Sequence, residues 1–267
     1  MKISIITATY NSGRTISDTM ESILMQTFKD IEYIVVDGAS TDNTMEIVRS
    51  YEKRFGGKMK YASEADKGLY DAMNKGIELA TGDIIGILNS DDYYTAPDIL
   101  EQVAQRLEDK SIDAVYGDLH YIYDDKPEKC VRYYSSKWFR PSLMLLGYIP
   151  AHPTFYCRKE LYQIYGKYNI SYTIAADFEQ LLRLIYIHRI KTCYIPIDFV
   201  TMRMGGVSTA NLGSRWLGMK DHRRALKSNG VYCSYILLNL LFIYKIFEIL
   251  VSPIRYRKSL KRLQHLK

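Results

Sequence analysis

Thr81-Gly82-Asp83-Ile84-Ile85-Gly86-Ile87-Leu88-Asn89-Ser90-Asp91-Asp92 is the stretch that decides the fold. From Ile84 to Leu88 the run is apolar without alternation, and it stops in four polar residues, two of them carboxylates. An unbroken apolar run of this length describes a strand covered on both faces. The same pattern opens the chain, where Ile3 to Ala8 ends in Thr9-Tyr10-Asn11, and it returns at Tyr33 to Val36, stopped by Asp37-Gly38. Lys58 to Ala62 reads as a further strand. Between these runs lie helical spacings at Ile16 to Met25, Thr44 to Phe55 (ended by Gly56-Gly57), Leu69 to Ala80 and Pro97 to Leu107. Apolar strands alternating with helices predict an α/β fold with a mainly parallel sheet flanked by helices. Sheets of that kind bind ligands outside the carboxyl ends of their strands. Tyr10-Asn11, Asp37-Gly38 and Asn89 to Asp92 all fall at such ends.

These polar clusters suggest a chemistry. Carboxylates crowded at an open crevice repel unless a hard cation neutralises them, and Mg²⁺ or Mn²⁺ favours one or two protein oxygens plus phosphate oxygens and water. A metal-diphosphate is therefore the expected guest of Asn89 to Asp92; an Asx-type turn is the plainer alternative. Asp37, at a strand end, is suited to accept hydrogen bonds from a ribose or base edge, while Ser40, Thr41 or Asp42 caps the next helix. The third cluster runs from Glu64 to Gly76. There Lys67, beside a helix start, is placed for a phosphate or base oxygen, and Asp71 and Asn74 share one helix face directed at the same edge. A helix N-terminus favouring acids also accounts for Asp66 and Asp71.

The second half is less regular. Tyr116 to Tyr123 and Cys130 to Tyr134 read as strands, Trp138 to Leu146 as a short helix and Ala175 to His188 as a helix. Thr192 to Val200 reads as a strand interrupted by Pro196, Met204 to Ser208 as a flexible loop, and Trp216 to Lys227 as a helix. Tyr93, Tyr94, Tyr133 and Tyr134 are candidates to stack on a ligand, core packing being the simpler role. The four cysteines, 130, 157, 193 and 233, have neither a zinc spacing nor the density of a disulfide framework, which suggests a reducing compartment.

Composition removes other classes. The 267 residues are 47% hydrophobic and 25% charged, an ordinary globular balance. Of 36 basic residues, six lie beyond Val251 with no acid among them, which leaves 30 basic against 30 acidic in the first 251. A neutral body with a basic tail suggests an anionic surface as partner and argues against nucleic acid. From Val231 to Val251 the chain is strongly apolar, but Lys245 and Glu248 leave it short of the ~20 apolar residues of a spanning helix. Helical spacing gathers Ser234, Tyr244, Lys245, Glu248, Ser252 and Arg255 in one sector, opposite Ile236, Leu240, Ile243, Phe247 and Leu250. The expectation is a helix lying in the plane of a membrane surface; packing on the domain or on a partner subunit is the alternative.

Four stretches together carry a family likeness: Ser4 to Asn11, Val35 to Asp42, Asp66 to Gly76 and Thr81 to Asp92. In that order and spacing they resemble the family-2 glycosyltransferases with the GT-A fold, particularly bacterial enzymes that build lipid-linked repeats of capsule, O-antigen or colanic-acid type. The likeness is continuous over about the first 95 residues and patchy to Ser208. It implies transfer of a sugar from a nucleotide-diphosphate sugar donor to an acceptor hydroxyl with inversion. By that likeness Thr7, Tyr10 and Asp37 hold the base and ribose, with Asp66 and Lys67 nearby. Asn89 to Asp91 stands where the family has DxD, its first position Asn rather than Asp, so Asp91 becomes the main metal ligand and Asp92 a second ligand or an outer-shell group. Ala175-Ala176-Asp177-Phe178-Glu179 matches the place of the family's general base, and the chemistry needs one, because an attacking alcohol must lose its proton. Asp177 takes that role and Glu179 is the fallback. His152, between Ala151 and Pro153, resembles a His-containing segment placed to touch the diphosphate or the acceptor; a structural role between two prolines is at least as open. Met204 to Ser208 resembles a loop that folds over bound donor.

The expected organisation is a GT-A domain over 1–228, with a donor half (1–95) and an acceptor half (96–228), followed by an amphipathic basic tail (229–267). The expected protein is a metal-dependent inverting transferase using Mn²⁺ or Mg²⁺. It acts on a lipid-linked saccharide at the inner face of the plasma membrane. The alternative is a non-catalytic subunit of the same fold that binds nucleotide or lipid without turnover. A dinucleotide-dependent oxidoreductase is excluded, because Ala8 to Gly13 lacks a G-x-G-x-x-G turn.

Overall fold

The computed structural model describes residues 1–205, 212–232 and 248–260. Among the described residues nine strands form one sheet: β1 (Ile3–Thr9), β2 (Ile31–Asp37), β3 (Met59–Ser63), β4 (Ile84–Ile87), β5 (Tyr93–Tyr94), β6 (Ala114–Ile122), β7 (Arg132–Tyr134), β8 (Tyr156–Arg158) and β9 (Thr192–Arg203). The helices are α1 (Ile16–Leu24), α2 (Thr44–Phe55), α3 (Leu69–Leu79), α4 (Ile99–Leu107), α5 (Glu160–Tyr165), α6 (Ala176–Leu181) and α7 (Leu212–Ser228). Residues 248–260 form one more helix.

The strand order is β3-β2-β1-β4-β8-β6-β9-β5, with β7 paired to β6. β1 lies between β2 and β4, parallel to both, and β3 continues that parallel half. Every residue of β1 is buried, because helices cover both faces of this half. Ile6 and Ile34 pack to one side; Ile3, Ile5, Tyr33 and Val35 pack to the other. Each such side chain removed from water contributes roughly 1.5–3 kcal/mol.

Beyond β4 the expectation of a mainly parallel sheet needs correction. β8 runs antiparallel to both β4 and β6, β7 is antiparallel to β6, and β5 is antiparallel to β9. β6 and β9 stay parallel, and β5 and β8, two and three residues long, are too short to leave a hydrophobic pattern to read. Pro196 does not end its strand. The β6–β9 register slips beside Asp118, where Tyr116 pairs with Tyr194 but Asp118 pairs with Asp198, so Pro196 sits in an irregularity that asks no ladder hydrogen bond of it. The expected Trp138–Leu146 helix shrinks to a 3₁₀ turn at Pro141–Leu146, and the long helix from Ala176 passes into a π-helix at Leu182–Ile187. Among the described residues no helix is long and apolar enough to cross a membrane. Most of the expected apolar helix, residues 233–247, lies outside the described residues, as do 206–208 of the expected donor-covering loop.

Gly86 in β4 shows how tightly the sheet is closed. A Cβ there would stand 2.1 Å from Cε1 of Tyr156, a ring that is fully buried and tied to Tyr94 through a 2.6 Å hydroxyl–hydroxyl bond. We predict that Gly86→Ala lowers stability by about 1–3 kcal/mol in chemical denaturation. An unchanged midpoint would show that the Tyr156 ring has room to move.

Candidate active site

The ends of β1, β2 and β4 are stitched to one another by side chains. Asn11 adopts a left-handed backbone (φ 50°), its Oδ1 accepts the Thr41 N–H at 2.8 Å, and its own N–H donates to Ser40 Oγ at 2.8 Å. Asp37 is fully buried; it accepts from Ser40 N (3.0 Å), from Ser40 Oγ and from Ser63 Oγ (2.7 Å). Thr7 is fully buried too, and its hydroxyl donates to the Leu88 carbonyl at 2.7 Å. These two residues brace the crevice from behind, and neither presents a free polar atom to it in this conformation. The physical reason is the double burial of β1 and β2, which leaves their last positions closed to solvent. Tyr10, by contrast, is 61% exposed at the mouth. Asp66 comes close because residue 38 is glycine: a Cβ there would lie 2.6 Å from Asp66 Oδ2. Asp66 caps Gly68 N at 2.7 Å, and Lys67 is exposed beside it.

The Asn89–Asp92 turn is held by hydroxyls. Thr15 Oγ1 donates to the Ser90 carbonyl at 2.9 Å, Thr19 Oγ1 to the Asp92 carbonyl at 2.7 Å, and the Ser12 and Ser90 hydroxyls meet at 2.8 Å. Within the turn the two carboxylates separate. Asp92 is fully buried and takes the Asn89 amide N–H₂ on Oδ2 at 2.8 Å; its Oδ1 has no hydrogen-bond partner among the described residues. Asp91 is partly exposed. Burial holds both carboxyls above their usual range, Asp92 well above, where the Asp91 charge adds to the effect; Arg203 opposes this at both. Of the two roles expected for Asp92, its burial supports the outer-shell one.

Arg203 is the residue that sequence reading missed. It ends β9 and donates from Nη1 to the Asp91 carbonyl at 2.7 Å, from Nε to Asp124 at 2.5 Å and from Nη2 to Asp18, while its guanidinium lies over Tyr93. One fork thus joins α1, the turn after β4, the β6–β7 connection and β9. Its place directly before Met204-Gly205 was the available signal.

Asp177 stands in the first turn of α6. Its Oδ1 accepts the Phe178 N–H at 2.8 Å and the Tyr70 hydroxyl at 3.4 Å. Tyr70 comes from α3 and also donates to the Ile174 carbonyl, so the helix after the Asp66–Gly68 turn supports the acid on the acceptor side. Asn74, expected to face the ligand, instead brackets Tyr168 through both backbone groups at 2.8 and 2.9 Å. His152 meets the Tyr168 hydroxyl at 2.7 Å; burial pushes its pKa down, and the Asp177 charge pulls it back. Glu179 is buried against Arg183 (3.0 Å) and Asn229 (3.3 Å), away from Asp177's partners. Burial pushes the Tyr121 hydroxyl pKa up; the Arg132 cation beside it opposes this, and the charges of Asp92, Glu248 and Asp177 add to it. Tyr70 holds Asp177 beside the start of α3, the helix that follows β3, and the Asn89–Asp92 turn follows β4. Tyr94 and Tyr133 are core residues, and Tyr134 is stacked on Tyr148, so of the four candidate stacking tyrosines only Tyr93 lies beside the Asn89–Asp92 turn, under Arg203.

Among the described residues no group of three His, Cys, Asp or Glu side chains could hold a metal ion by itself. One partly exposed carboxylate, Asp91, backed by a buried one with an unsatisfied oxygen, fits a cation that arrives with phosphate oxygens of its own.

A mixed sheet with a parallel, nucleotide-type half and its polar clusters gathered at the strand ends is the GT-A architecture of glycosyltransferases. The chain belongs to glycosyl transferase family 2, whose family model matches residues 4–160, and it is a glycosyltransferase. It is 30% identical over 219 residues to a PGL/p-HBAD biosynthesis glycosyltransferase of Mycobacterium bovis, covering 80% of this chain and 82% of that one. Among solved structures it is similar to the mannosyltransferase PcManGT from Pyrobaculum calidifontis in complex with GDP-Man and Mn²⁺, with a TM-score of 0.63 and 18% identity over 97% of this chain and 69% of that one. It is also similar to S. aureus TarS 1-349 in complex with UDP, with a TM-score of 0.62, 18% identity and coverage of 85% of this chain and 65% of that one. The chain spans 37% of the longer S. aureus TarS structure.

We predict that Arg203→Lys lowers kcat/KM by about tenfold or more, because a single ammonium cannot serve three acceptors on separate elements in the fork geometry of a guanidinium. Steady-state kinetics with an unchanged melting temperature checks this; wild-type kcat/KM would reduce Arg203 to a surface ion pair.

Proposed function

We propose that the protein transfers a sugar from a nucleotide-diphosphate sugar to a hydroxyl of a lipid-linked saccharide, with inversion at the anomeric carbon. The observation that carries this reading is that Tyr70, at the start of the helix after the Asp66–Gly68 turn, holds Asp177 beside the strand-end edge that also carries the Asn89–Asp92 turn. Asp177 takes the proton of the acceptor hydroxyl as its oxygen attacks the anomeric carbon from the face opposite the diphosphate. The bond from that carbon to the diphosphate oxygen breaks with its electron pair leaving on the nucleoside diphosphate. One displacement needs one base, which suits a single partly exposed carboxylate on the acceptor side. Phe178 N–H and the Tyr70 hydroxyl orient it through Oδ1, leaving Oδ2 for the incoming hydroxyl. His152, kept neutral by burial, serves as a hydrogen-bonding group beside the reacting atoms rather than as a cation.

Asp91, together with the donor's phosphates, would hold Mn²⁺ or Mg²⁺, which when bound would supply charge stabilisation for the leaving group. Asp92 orients the turn through Asn89, and Arg203 fixes its backbone. Tyr10, Asp66 and Lys67 are the exposed groups available to the nucleotide. The GDP-Man and Mn²⁺ bound by PcManGT and the UDP bound by TarS support a nucleotide-sugar donor. The basic, apolar C-terminal stretch supports an acceptor presented at an anionic membrane surface, and with it a peripheral location at the cytoplasmic face of the plasma membrane in surface polysaccharide synthesis.

Two measurements test this reading. Asp177→Asn is expected to lower transfer by about a hundredfold or more while donor affinity in calorimetry stays within a few-fold; a fully active variant removes Asp177 as the base. Asp91→Asn is expected to abolish the Mn²⁺-dependent part of the thermal stabilisation by nucleoside diphosphates, since a ligand raises the melting point only as far as it binds the folded state. Equal shifts with and without Mn²⁺ in the wild type would remove the metal from the proposal.

A further inference from the structure

The 248–260 helix lies on the β6–β7 edge with its polar side inward. Its most buried residues are Glu248 and Ser252, both at 0% exposure, and Ser259, at 7%. Ile249, Leu250 and Ile254 are 51%, 72% and 61% exposed. Polar contacts attach it: Arg132 Nε donates to Glu248 at 2.7 Å, Tyr133 N–H donates to Ser252 Oγ at 2.7 Å, and the Tyr256 ring lies 4.8 Å from that of His120. A helix on a water-facing domain turns its apolar stripe to the core. Here the stripe is outward, and leaving it in water costs free energy. Four-residue spacing aligns Leu250, Ile254 and Lys258 in one row and Ile249, Pro253 and Arg257 in another, with no acid between 249 and 260.

A second feature adjoins this face. A cavity of about 200 Å³ separates the helix from the loop after β7. The exposed side chains of Lys137, Trp138 and Lys258 stand at its mouth, and Arg255 lines it from the helix with an Nη1 that is buried and without a partner among the described residues. Trp138 is 64% exposed, with the Lys137 ammonium 5.1 Å from its ring centre. Asp118 and Asp198 form the floor. Asp118 is quenched by four donors, from Tyr133, Ser135, Ser136 and Tyr194, and Asp198 faces His120. Burial raises the pKa of both carboxyls, Asp118 up to about 6, which weakens their repulsion of an anion.

We infer that this face binds an anionic phospholipid bilayer, with Ile249, Leu250 and Ile254 entering the headgroup–acyl boundary and a lipid phosphate seated between Lys137, Arg255 and Lys258. Exposed tryptophan, lysine beside it and an apolar helical face flanked by cations are the groups that partition to such an interface. The inference deepens, and rests on, the membrane-presented acceptor proposed above. The helix keeps its polar grip on the domain while its outer face meets lipid. Its first turn holds Arg132, whose guanidinium lies 5.3 Å from the ring centres of both Tyr121 and Tyr134.

Sedimentation of the full chain with vesicles of phosphatidylcholine, alone or mixed with phosphatidylglycerol, tests this. Binding is expected on the mixed vesicles and about tenfold weaker, or absent, on the neutral ones. Leu250→Glu with Ile254→Glu, and separately Lys137→Glu with Lys258→Glu, should each lower binding about tenfold or more, with melting temperature and donor affinity unchanged. Leu250→Ser with Ile254→Ser serves if the glutamates impair folding. Wild-type protein left in the supernatant with mixed vesicles overturns the inference. So does a change of mass in sedimentation velocity on altering Leu250 and Ile254 without loss of vesicle binding, since a second copy would then cover the face. Donor calorimetry on the same samples separates the readings: lost vesicle binding with intact donor binding defeats only the membrane contact, and the converse defeats only the donor assignment.

Discussion

Burial of β1 on both faces, between parallel partners, is the constraint on which the rest of the structure depends. A strand with no solvent face can present polar chemistry only where it ends. Each neighbour is parallel and in register, so the ends of β1, β2 and β4 lie along one edge, and the polar residues that terminate three separate apolar runs are forced together. Thr7 and Asp37 show the cost of that arrangement. They lie inside the packed layer, and each spends its hydrogen-bonding capacity on backbone or hydroxyl partners, Thr7 on Leu88 and Asp37 on Ser40 and Ser63. The crevice gains rigidity from them, while Tyr10, Asp66, Lys67 and Asp91 remain accessible.

The second half of the molecule solves a different problem, which is to bring an acid across to that edge. α3 does much of this. Its Tyr70 reaches Asp177 and its Asn74 clamps Tyr168, the partner of His152. Arg203 performs the equivalent task elsewhere on that edge by fastening the Asn89–Asp92 turn to β9. A charged fork serving three acceptors is stronger and more directional than the surface ion pairs elsewhere in the chain, several of which are exposed and contribute little. Substrate-facing groups thus sit on short turns, and long elements supply the support.

The C-terminal region inverts the usual logic of a surface helix. Glu248 finds Arg132, and Ser252 accepts from Tyr133, so the sheet edge is covered by polar contacts while the isoleucines and leucine point away. The polar sector read from sequence, with Glu248, Ser252 and Arg255 on one side and Leu250 opposite, is present in the described helix. What periodicity did not indicate is which sector faces the protein, because an amphipathic pattern has the same period whichever side is turned inward.

That distinction holds for the whole chain. Local sequence determined the α/β class, the strands and helices of the first 107 residues other than β5 to within two residues at their boundaries, and the existence of polar clusters at strand ends, because continuous apolar runs, glycine stops and 3.6-residue spacing are local properties. It did not determine the antiparallel insertion of β8 and β5, the burial of Thr7, Asp37 and Asp92, or the reach of Arg203 across four segments. Each of these depends on partners far away in the chain, such as Ser63 for Asp37 and Asp18 for Arg203, whose contributions have no signature in the residues around them. Tertiary structure alone decided which of several equally polar side chains are buried and which stay exposed at the strand ends, since that choice is made by packing and hydrogen-bond satisfaction rather than by residue type.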